Sequence, residues 1–326
     1  MPGSGISVFT DPDDGQAGLR WVQMELLVNS GNFEVRLTWA ELHCLRLLHA
    51  EERFPRIAYV TLAPALMFVA FPTAADRSPV WTGAEVEAGD IMFHNPGDRV
   101  HQLTRGSCAW SLMALPPRDL QDYGRALSGN PLFVPPAGEL FRPRPRDAAR
   151  LQRLHKQACR LAQTKPSILT HFQVARAIEQ GLIQALVTCL AYARARDSAA
   201  PRRYHAQIMV RFEEALAEHP NRPRRVSEIC KLIGVTERTL RSCCAEFIGM
   251  TPGRYLLLRR LKQIRTALRN ADPAAASVAE IARLHGFIEL RRFAAVYRSA
   301  FGEMPSTTLE RMRGSGFLPQ ISSDSA

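Results

Sequence analysis

The stretch GFIELRRFAAVYRSAFGEMP, residues 286–305, places three arginines in an otherwise apolar segment, and a related copy lies upstream. VSEICKLIGV (226–235) matches VAEIARLHGF (278–287) at valine, glutamate, isoleucine, leucine and glycine, with an offset of 52. Further on, Gly249 and Gly302 correspond with an offset of 53, so the second copy has one extra residue, in its turn or at the start of its second helix. Such a repeat predicts two similar supersecondary units.

Each copy has the pattern of a helix-turn-helix, in which a short apolar-striped helix ends at a glycine and a second helix follows. Thr236 is a suitable N-cap for the second helix of the first unit. Ser277 with Glu280 predicts a capping box at the start of the second unit, whereas Arg225 at the equivalent place predicts that this cap is missing. The second helices are predicted to bury Leu240, Cys243, Cys244 and Phe247 in one unit, and Phe293, Val296, Tyr297 and Ala300 in the other.

A third helix is predicted between the two units. Thr251 as N-cap and Pro252 at the first helical position begin it, and it ends near Asn270. About 17 residues at roughly 1.5 Å each give a rod of about 25 Å. Because successive major grooves are about 34 Å apart, both second helices could enter one face of a duplex. Basic side chains add charge along this rod, namely Arg254, Arg259, Arg260, Lys262, Arg265 and Arg269.

The positive charge is concentrated in the same part of the chain. The whole chain has a formal net charge of +11, and residues 202–313 contain 21 Lys and Arg against 11 Asp and Glu. The remaining residues are almost neutral, with 21 basic and 20 acidic side chains. A basic module beside a neutral one favours a polyanionic partner for that module.

The chain before the basic region is predicted to be β-rich and then helical. FEVRLTW (33–39) alternates like a half-buried strand, and segments 87–103 and 107–115 are typical of further strands. An apolar stripe over 167–194 predicts one long amphipathic helix, with Glu179 as its polar exception. Either this stripe packs within its own domain or it forms a dimer interface, and the sequence leaves both open.

The helix pairs and the helix between them resemble the DNA-binding domain of the AraC/XylS family of bacterial transcription regulators. The matching segments are GVTERTLRSCCAEFIGMTPGRYLLLRRL (234–261) and VAEIARLHGFIELRRFAAVYRSAFGEMPS (278–306). The resemblance implies double-stranded DNA as partner, with base-edge contacts expected from Arg238, Arg241, Ser242, Arg291 and Arg292. Phosphate contacts are expected from Thr236, Arg254 and Arg298. Ile288, a poor N-cap, and Ala295 depart from the family pattern.

The resemblance also implies a multidomain α+β architecture. We expect a β-rich, cupin-like regulatory domain (1–116), a helical linker or dimerisation segment (117–200), an all-α DNA-binding domain (202–313, with units at about 226–248 and 278–300) and a disordered tail (314–326). The expected protein is a cytoplasmic regulator and not an enzyme. It would act as a homodimer, with RNA polymerase and a small-molecule effector as further partners.

Several other classes of protein are disfavoured. The N-terminus lacks a secretory pattern, and the apolar run 57–71 is too short to span a membrane. Seven cysteines without a CxxC pair predict buried thiols rather than a disulfide framework. An alternative is a cupin-type metal enzyme, an oxygenase or isomerase, fused to a basic helical module. His94 and His101 do not form the expected His-x-His pair and are interpreted as turn residues, so we predict no metal or cofactor. A protein-binding helical adaptor is a third, weaker interpretation.

Overall fold

The computed structural model describes residues 3–11, 21–28, 33–129, 132, 135, 138–195, 199–218 and 224–314. Strands dominate its N-terminal part and helices its C-terminal part, which confirms the coarse fold class. The predicted tail lies outside the described residues after Gly314.

The described strands are β1 (Gly3–Phe9), β2 (Val22–Val28), β3 (Val35–Glu41), β4 (Arg46–Glu52), β5 (Arg56–Leu62), β6 (Met67–Ala75), β7 (Val80–Trp81), β8 (Ala84–Glu85), β9 (Ile91–His94), β10 (Arg99–Thr104), β11 (Cys108–Leu115), β12 (Glu139–Arg142) and β13 (Arg194–Ala195). The described helices are α1 (Pro117–Ser128), α2 (Pro145–Thr164), α3 (Pro166–Leu169), α4 (Phe172–Ala191), α5 (Ala199–Ala217), α6 (Val226–Ile233), α7 (Glu237–Ile248), α8 (Pro252–Asn270), α9 (Val278–Leu284), α10 (Leu290–Phe301) and α11 (Pro305–Gly314).

Two antiparallel sheets enclose the N-terminal core. The larger sheet has the order β1-β3-β4-β11-β6-β9-β12-β13, and the smaller one has the order β2-β5-β10-β7-β8. Their facing side chains form one buried apolar cluster, to which the smaller sheet contributes Val60 and Val100 and the larger sheet contributes Phe68 and Leu112. The segment thus forms a sandwich of two sheets.

The larger sheet is apolar on both faces, and this explains the unbroken apolar run of β6. Phe68 and Ala70 point into the sandwich, whereas Val69 and Phe71 belong to a second core shared with helices α1, α2 and α4. Strands buried on both faces are expected to read as continuous apolar runs. The helical segment predicted as a linker therefore packs against the sheet, and β12 and β13 extend that sheet.

The apolar stripe of α4 packs within its own domain. Leu182 and Leu186 are fully buried in the second core, so the middle of this stripe is not available as a dimer interface, whereas Phe172 at its start is exposed. The Glu179 carboxylate accepts hydrogen bonds from the backbone N–H groups of Cys44 (2.8 Å) and Leu45 (3.1 Å). The polar exception therefore fixes the turn between β3 and β4. By length and composition α4 could cross a membrane, but it serves here as a core helix.

Two predicted elements have different bounds in the structure. Segment 87–103 contains two strands, β9 and β10, because the turn at 95–98 reverses the chain. The helix predicted over 167–194 is interrupted between Leu169 and Phe172, so α3 and α4 are separate. The other predicted strands agree with the structure, since 33–39 overlaps β3 and 107–115 contains β11.

The outer face of the smaller sheet packs against the first C-terminal helices. Leu27, Ile57 and Leu103 share a buried cluster with residues of α5, α6 and α7, including Phe212 and Phe247. Helices α8 to α11 build a separate core around Phe293 and Tyr297. The sheet domain and the first helix pair thus have a common core, whereas the second helix pair has its own.

The histidines interpreted as turn residues are in fact buried in strands. His94 ends β9 and His101 lies in β10, and each is 2% exposed. His101 bonds to Glu213, while neither ring nitrogen of His94 has a hydrogen-bond partner among the described residues. The error arose because the NPGD turn (95–98) separates two short strands that the sequence pattern merged into one.

Two buried histidines predict an acid-sensitive fold. Burial lowers the pKa of His94 and that of His155 from 6.5 to about 4. Between these two pKa values the unfolded chain binds protons that the folded protein does not. The free energy of unfolding is therefore highest above pH 6.5 and falls as the pH drops towards 4. At about 1.4 kcal/mol per pKa unit, each histidine contributes roughly 3 kcal/mol. We expect the thermal-unfolding temperature to fall across this window and His155→Phe to flatten the fall. Equal slopes in the two proteins would contradict this account.

Candidate nucleic-acid interface

Helices α6 and α7 form one helix pair and α9 and α10 form another, with α8 between them. Gly234 ends α6 in the left-handed conformation at φ 69°, and Gly286 follows α9 at φ 81°. Such φ values favour glycine because a side chain would be strained there. The N-caps of the second helices are Thr236 and Glu289, so the extra residue of the second copy lies in its turn.

The caps agree only partly with the sequence pattern. Thr236 accepts a hydrogen bond from the backbone N–H of Thr239 at 3.1 Å, as predicted. The side chain of Ser277 makes no capping bond, so the capping box predicted there is wrong. At the start of α6 half of such a box is present, because Glu228 accepts from the backbone N–H of Arg225 at 3.3 Å. An arginine side chain has no acceptor and cannot supply the other half.

The second helices bury the predicted faces. On α7 the side chains of Leu240, Cys243, Cys244 and Phe247 are all at most 1% exposed. On α10 Phe293, Tyr297 and Ala300 are buried, and Val296 is half-buried. Because these faces point into the cores, the opposite faces are turned to solvent, which leaves them free to contact a ligand as large as a duplex.

The predicted DNA contacts lie on these outward faces. Each of the eight residues is exposed: Arg238, Arg241, Ser242, Arg291 and Arg292 for bases, and Thr236, Arg254 and Arg298 for phosphates. Within the part of the chain that the structure describes, none of the six arginine side chains among them has an acidic partner. Unpaired guanidinium groups can make the bidentate hydrogen bonds that bases and phosphates accept. The individual roles stay predictions.

The basic residues along α8 are arranged differently from the prediction. The side chains of Arg265 and Arg269 contact Asp11, at 3.0 and 2.7 Å. Lys262 donates to the backbone carbonyl of Leu26 at 2.8 Å. These side chains therefore bind the N-terminal domain, and they do not add charge to the outward face of the rod. Of the six predicted, Arg254 alone is exposed.

A buried polar cluster joins α5, α8 and the smaller sheet. Glu213, on α5, accepts hydrogen bonds from His101 (2.9 Å), from the Tyr255 hydroxyl (2.6 Å) and from the guanidinium of Arg259. Arg259 also contacts Glu25 of β2 at 3.1 Å. Full burial opposes ionisation of Glu213, but Arg259, His101 and Tyr255 together hold the pKa of this carboxyl below its ordinary value. We call these five residues the interdomain cluster.

The cysteines behave as small apolar side chains. All seven are free thiols, and burial raises the pKa of Cys44, Cys108, Cys159 and Cys189 to about 12. A thiol at such a pKa is not ionised at neutral pH and is a poor nucleophile. In the described ranges, no three His, Cys, Asp or Glu side chains are grouped so that they could hold a metal ion.

A family match was found in the same C-terminal region. Residues 229–311 match a family model described as a helix-turn-helix domain, which spans both helix pairs. An XylDLEGF operon transcriptional activator of Pseudomonas putida is 35% identical over 103 residues, 32% of each chain. The C-terminal region is similar to the helix-turn-helix part of AraC/XylS-type transcription regulators. The resemblance seen in the repeated motifs is thereby confirmed.

The similarity to these curated relatives covers about a third of this chain. A probable thc operon regulatory protein of Rhodococcus erythropolis is 37% identical over 94 residues, 29% of this chain and 28% of that protein. This chain thus covers about a third or less of the length of these relatives. The crystal structure of the AraC-like transcriptional activator CuxR covers 94% of this chain and 99% of its own, at 14% identity. Its TM-score of 0.41 is too low to support a conclusion.

Proposed function

We propose that this protein is a sequence-specific DNA-binding transcription regulator of the AraC/XylS type. Its two helix pairs would act as two helix-turn-helix units that place α7 and α10 in adjacent major-groove segments. Arg238, Arg241, Ser242, Arg291 and Arg292 would contact base edges. Thr236, Arg254 and Arg298 would contact phosphates and fix the position of the domain on the duplex.

The distribution of free and paired arginines carries this proposal. The unpaired guanidinium groups of Arg238, Arg241, Arg291, Arg292 and Arg298 lie on the second helices of the two pairs. On α8, by contrast, Arg259 and Arg265 are engaged by acidic side chains of other segments. A merely solubilising surface gives no reason for unpaired arginines to lie together on the outward faces of both second helices. A surface that binds a polyanion does.

The N-terminal sandwich is proposed as a cupin-like regulatory domain. Its smaller sheet shares an apolar core with α5, α6 and α7, and the interdomain cluster links the same sheet to α8. A small molecule or a second copy of the chain that shifted the sheet would therefore shift the first helix pair. Modulation by an effector and action as a cytoplasmic homodimer that contacts RNA polymerase are part of the proposal. The known activators among its relatives favour activation.

Selection of bound sequences tests the proposal. Purified full-length protein is mixed with a pool of random duplexes, and the bound fraction is sequenced and retitrated at several salt concentrations. We expect one enriched sequence and an affinity that falls steeply as salt rises, because phosphate contacts release counterions. Equal retention of all duplexes at moderate salt would refute a sequence-specific regulator. It would leave only non-specific attraction of the basic domain to DNA.

A further inference from the structure

A cavity lies between the N-terminal sandwich and the first helix of the C-terminal part. Its volume is about 850 Å³, within the range of small-molecule sites. Strands β9, β10 and β12 form one side, with Met92, Val100 and Leu140 as apolar lining. Helix α5 forms the other side, with Ala206 and Val210. The cavity is therefore bounded by both parts of the protein and has an apolar lining on each side.

His94 gives this cavity an unsatisfied hydrogen-bonding group. The side chain lines the cavity and is 2% exposed, yet neither Nδ1 nor Nε2 has a hydrogen-bond partner in the described chain. Buried polar atoms are nearly always paired, since an orphaned donor or acceptor costs about 1–3 kcal/mol. A neutral imidazole offers one donor and one acceptor. An unpaired imidazole on a cavity wall is explained most simply by a ligand that supplies the partner.

The helix side of the cavity is basic. Arg203 and Arg211 line it from α5 and are exposed to solvent. Arg211 donates one hydrogen bond to the carbonyl of Ile233 at 3.1 Å, which leaves its remaining N–H groups free. Among the described residues, neither arginine has a carboxylate within ion-pair distance. Two such guanidinium groups at a cavity with apolar walls attract an anionic group.

The acidic residues of the lining do not cancel this charge on the helix side. Glu214 is neutralised by Arg99, with 2.9 Å between the charged atoms. Asp98 lies on the strand side, where it accepts a hydrogen bond from the backbone N–H of Asn95 at 2.8 Å. Glu139 is also on the strand side, in β12. An anionic group is therefore expected to face α5, where Arg203 and Arg211 line the cavity.

We propose that this cavity binds a small organic anion with an apolar body, held by Arg203 and Arg211 through its charge and by His94 through a hydrogen bond. The apolar body lies on the side chains of β9, β10 and α5. Because α5 packs against α6 and α7, the occupied cavity links the ligand to the first helix pair. The regulatory role of the site rests on the proposed DNA-binding function, whereas ligand binding itself does not.

Calorimetry with a matched pair of probes tests the site. Octanoate and octanamide both have an apolar chain and a carbonyl acceptor, but only octanoate is charged. We expect the full-length protein to bind octanoate at least about tenfold more tightly, which corresponds to about 1.4 kcal/mol. The double variant Arg203→Gln/Arg211→Gln should reduce this preference to less than about twofold. His94→Phe should weaken both probes alike, by about fivefold, as loss of one hydrogen bond predicts.

Arg150→Gln is the control, because Arg150 is an exposed arginine on α2, outside the cavity lining. It should leave both affinities unchanged. Absence of octanoate binding up to about 10 mM, or binding that the arginine pair and His94→Phe leave unchanged, would overturn the site. The titrations contain no DNA, so such a failure leaves the DNA-binding proposal standing. Conversely, if the protein bound octanoate as expected but selected no DNA sequence, the ligand site would stand and the DNA-binding proposal would fail.

Discussion

We expect Glu213→Ala to lower the thermal-unfolding temperature by roughly 10 °C. The carboxylate is almost completely buried and is the shared acceptor for His101, Tyr255 and Arg259. Its removal leaves the Arg259 guanidinium buried with only the half-buried Glu25 as counter-charge. Breaking a buried ion pair from one side costs about 3–5 kcal/mol. For a unit of 150–250 residues, each kcal/mol lowers the midpoint by about 2–4 °C.

The neighbouring residue supplies a matched control. Glu214 also lies on α5 and pairs with an arginine of β10, but both side chains of its ion pair with Arg99 are about half exposed. Exposed ion pairs contribute at most about 1 kcal/mol, so Glu214→Ala should change the midpoint by less than about 3 °C. The measurement is thermal unfolding of both variants, followed by circular dichroism at pH 7. Equal shifts in the two variants would show that the interdomain cluster does not hold the domains together.

Local features of the C-terminal domain could be predicted from the sequence. The repeat predicted both helix pairs, one extra residue in the second copy and the buried faces of α7 and α10, whereas the position of that extra residue in the turn came from the structure. Thr236 and Thr251 were identified as N-caps, and both accept the expected backbone hydrogen bonds. These features depend on residues only a few positions apart. Propensity, capping and periodicity act over that range, so the sequence pattern is sufficient.

The interdomain contacts could not be predicted in this way. Arg259 and Glu25 are 234 positions apart, and Arg265 and Asp11 are 254 apart. No local pattern distinguishes an arginine that faces DNA from one that faces a distant strand, because both lie on amphipathic helices. The sequence around Glu213 likewise gives little indication that its carboxylate is buried. Its burial depends on three partners from other elements.

The cavity residues were missed for a related reason. His94 was considered only as a possible metal ligand, and it was dismissed because no His-x-His pair was present. Its burial without a partner becomes visible only when β9, β10 and α5 are placed together. The basic side of the cavity is formed by Arg203 and Arg211. In the sequence these two residues were counted only as part of the net positive charge of residues 202–313. Their separation from the arginines that are proposed to contact DNA depends on the packing of α5.

Removal of single arginines should separate base contacts from phosphate contacts. We expect Arg241→Ala to cost about 1–3 kcal/mol, or roughly five- to hundredfold in affinity, on the selected duplex. The preference at one base pair should be relaxed, because a bidentate contact to that base is lost. Arg298→Ala should weaken binding to all duplexes alike. It should also reduce the slope of log affinity against log salt by about 1, since one counterion fewer is released.

Arg269→Ala is the sharpest control for this series. The residue belongs to the same basic region, but its guanidinium contacts Asp11 at 2.7 Å. A side chain held by the N-terminal domain releases no counterion from DNA, so both the salt slope and the sequence preference should stay unchanged. Affinities of the three variants are measured by fluorescence anisotropy at several salt concentrations, after circular dichroism has confirmed that each is folded. A shallower slope for Arg269→Ala would mean that α8 leaves the sandwich when DNA binds, because only then could this arginine reach a phosphate.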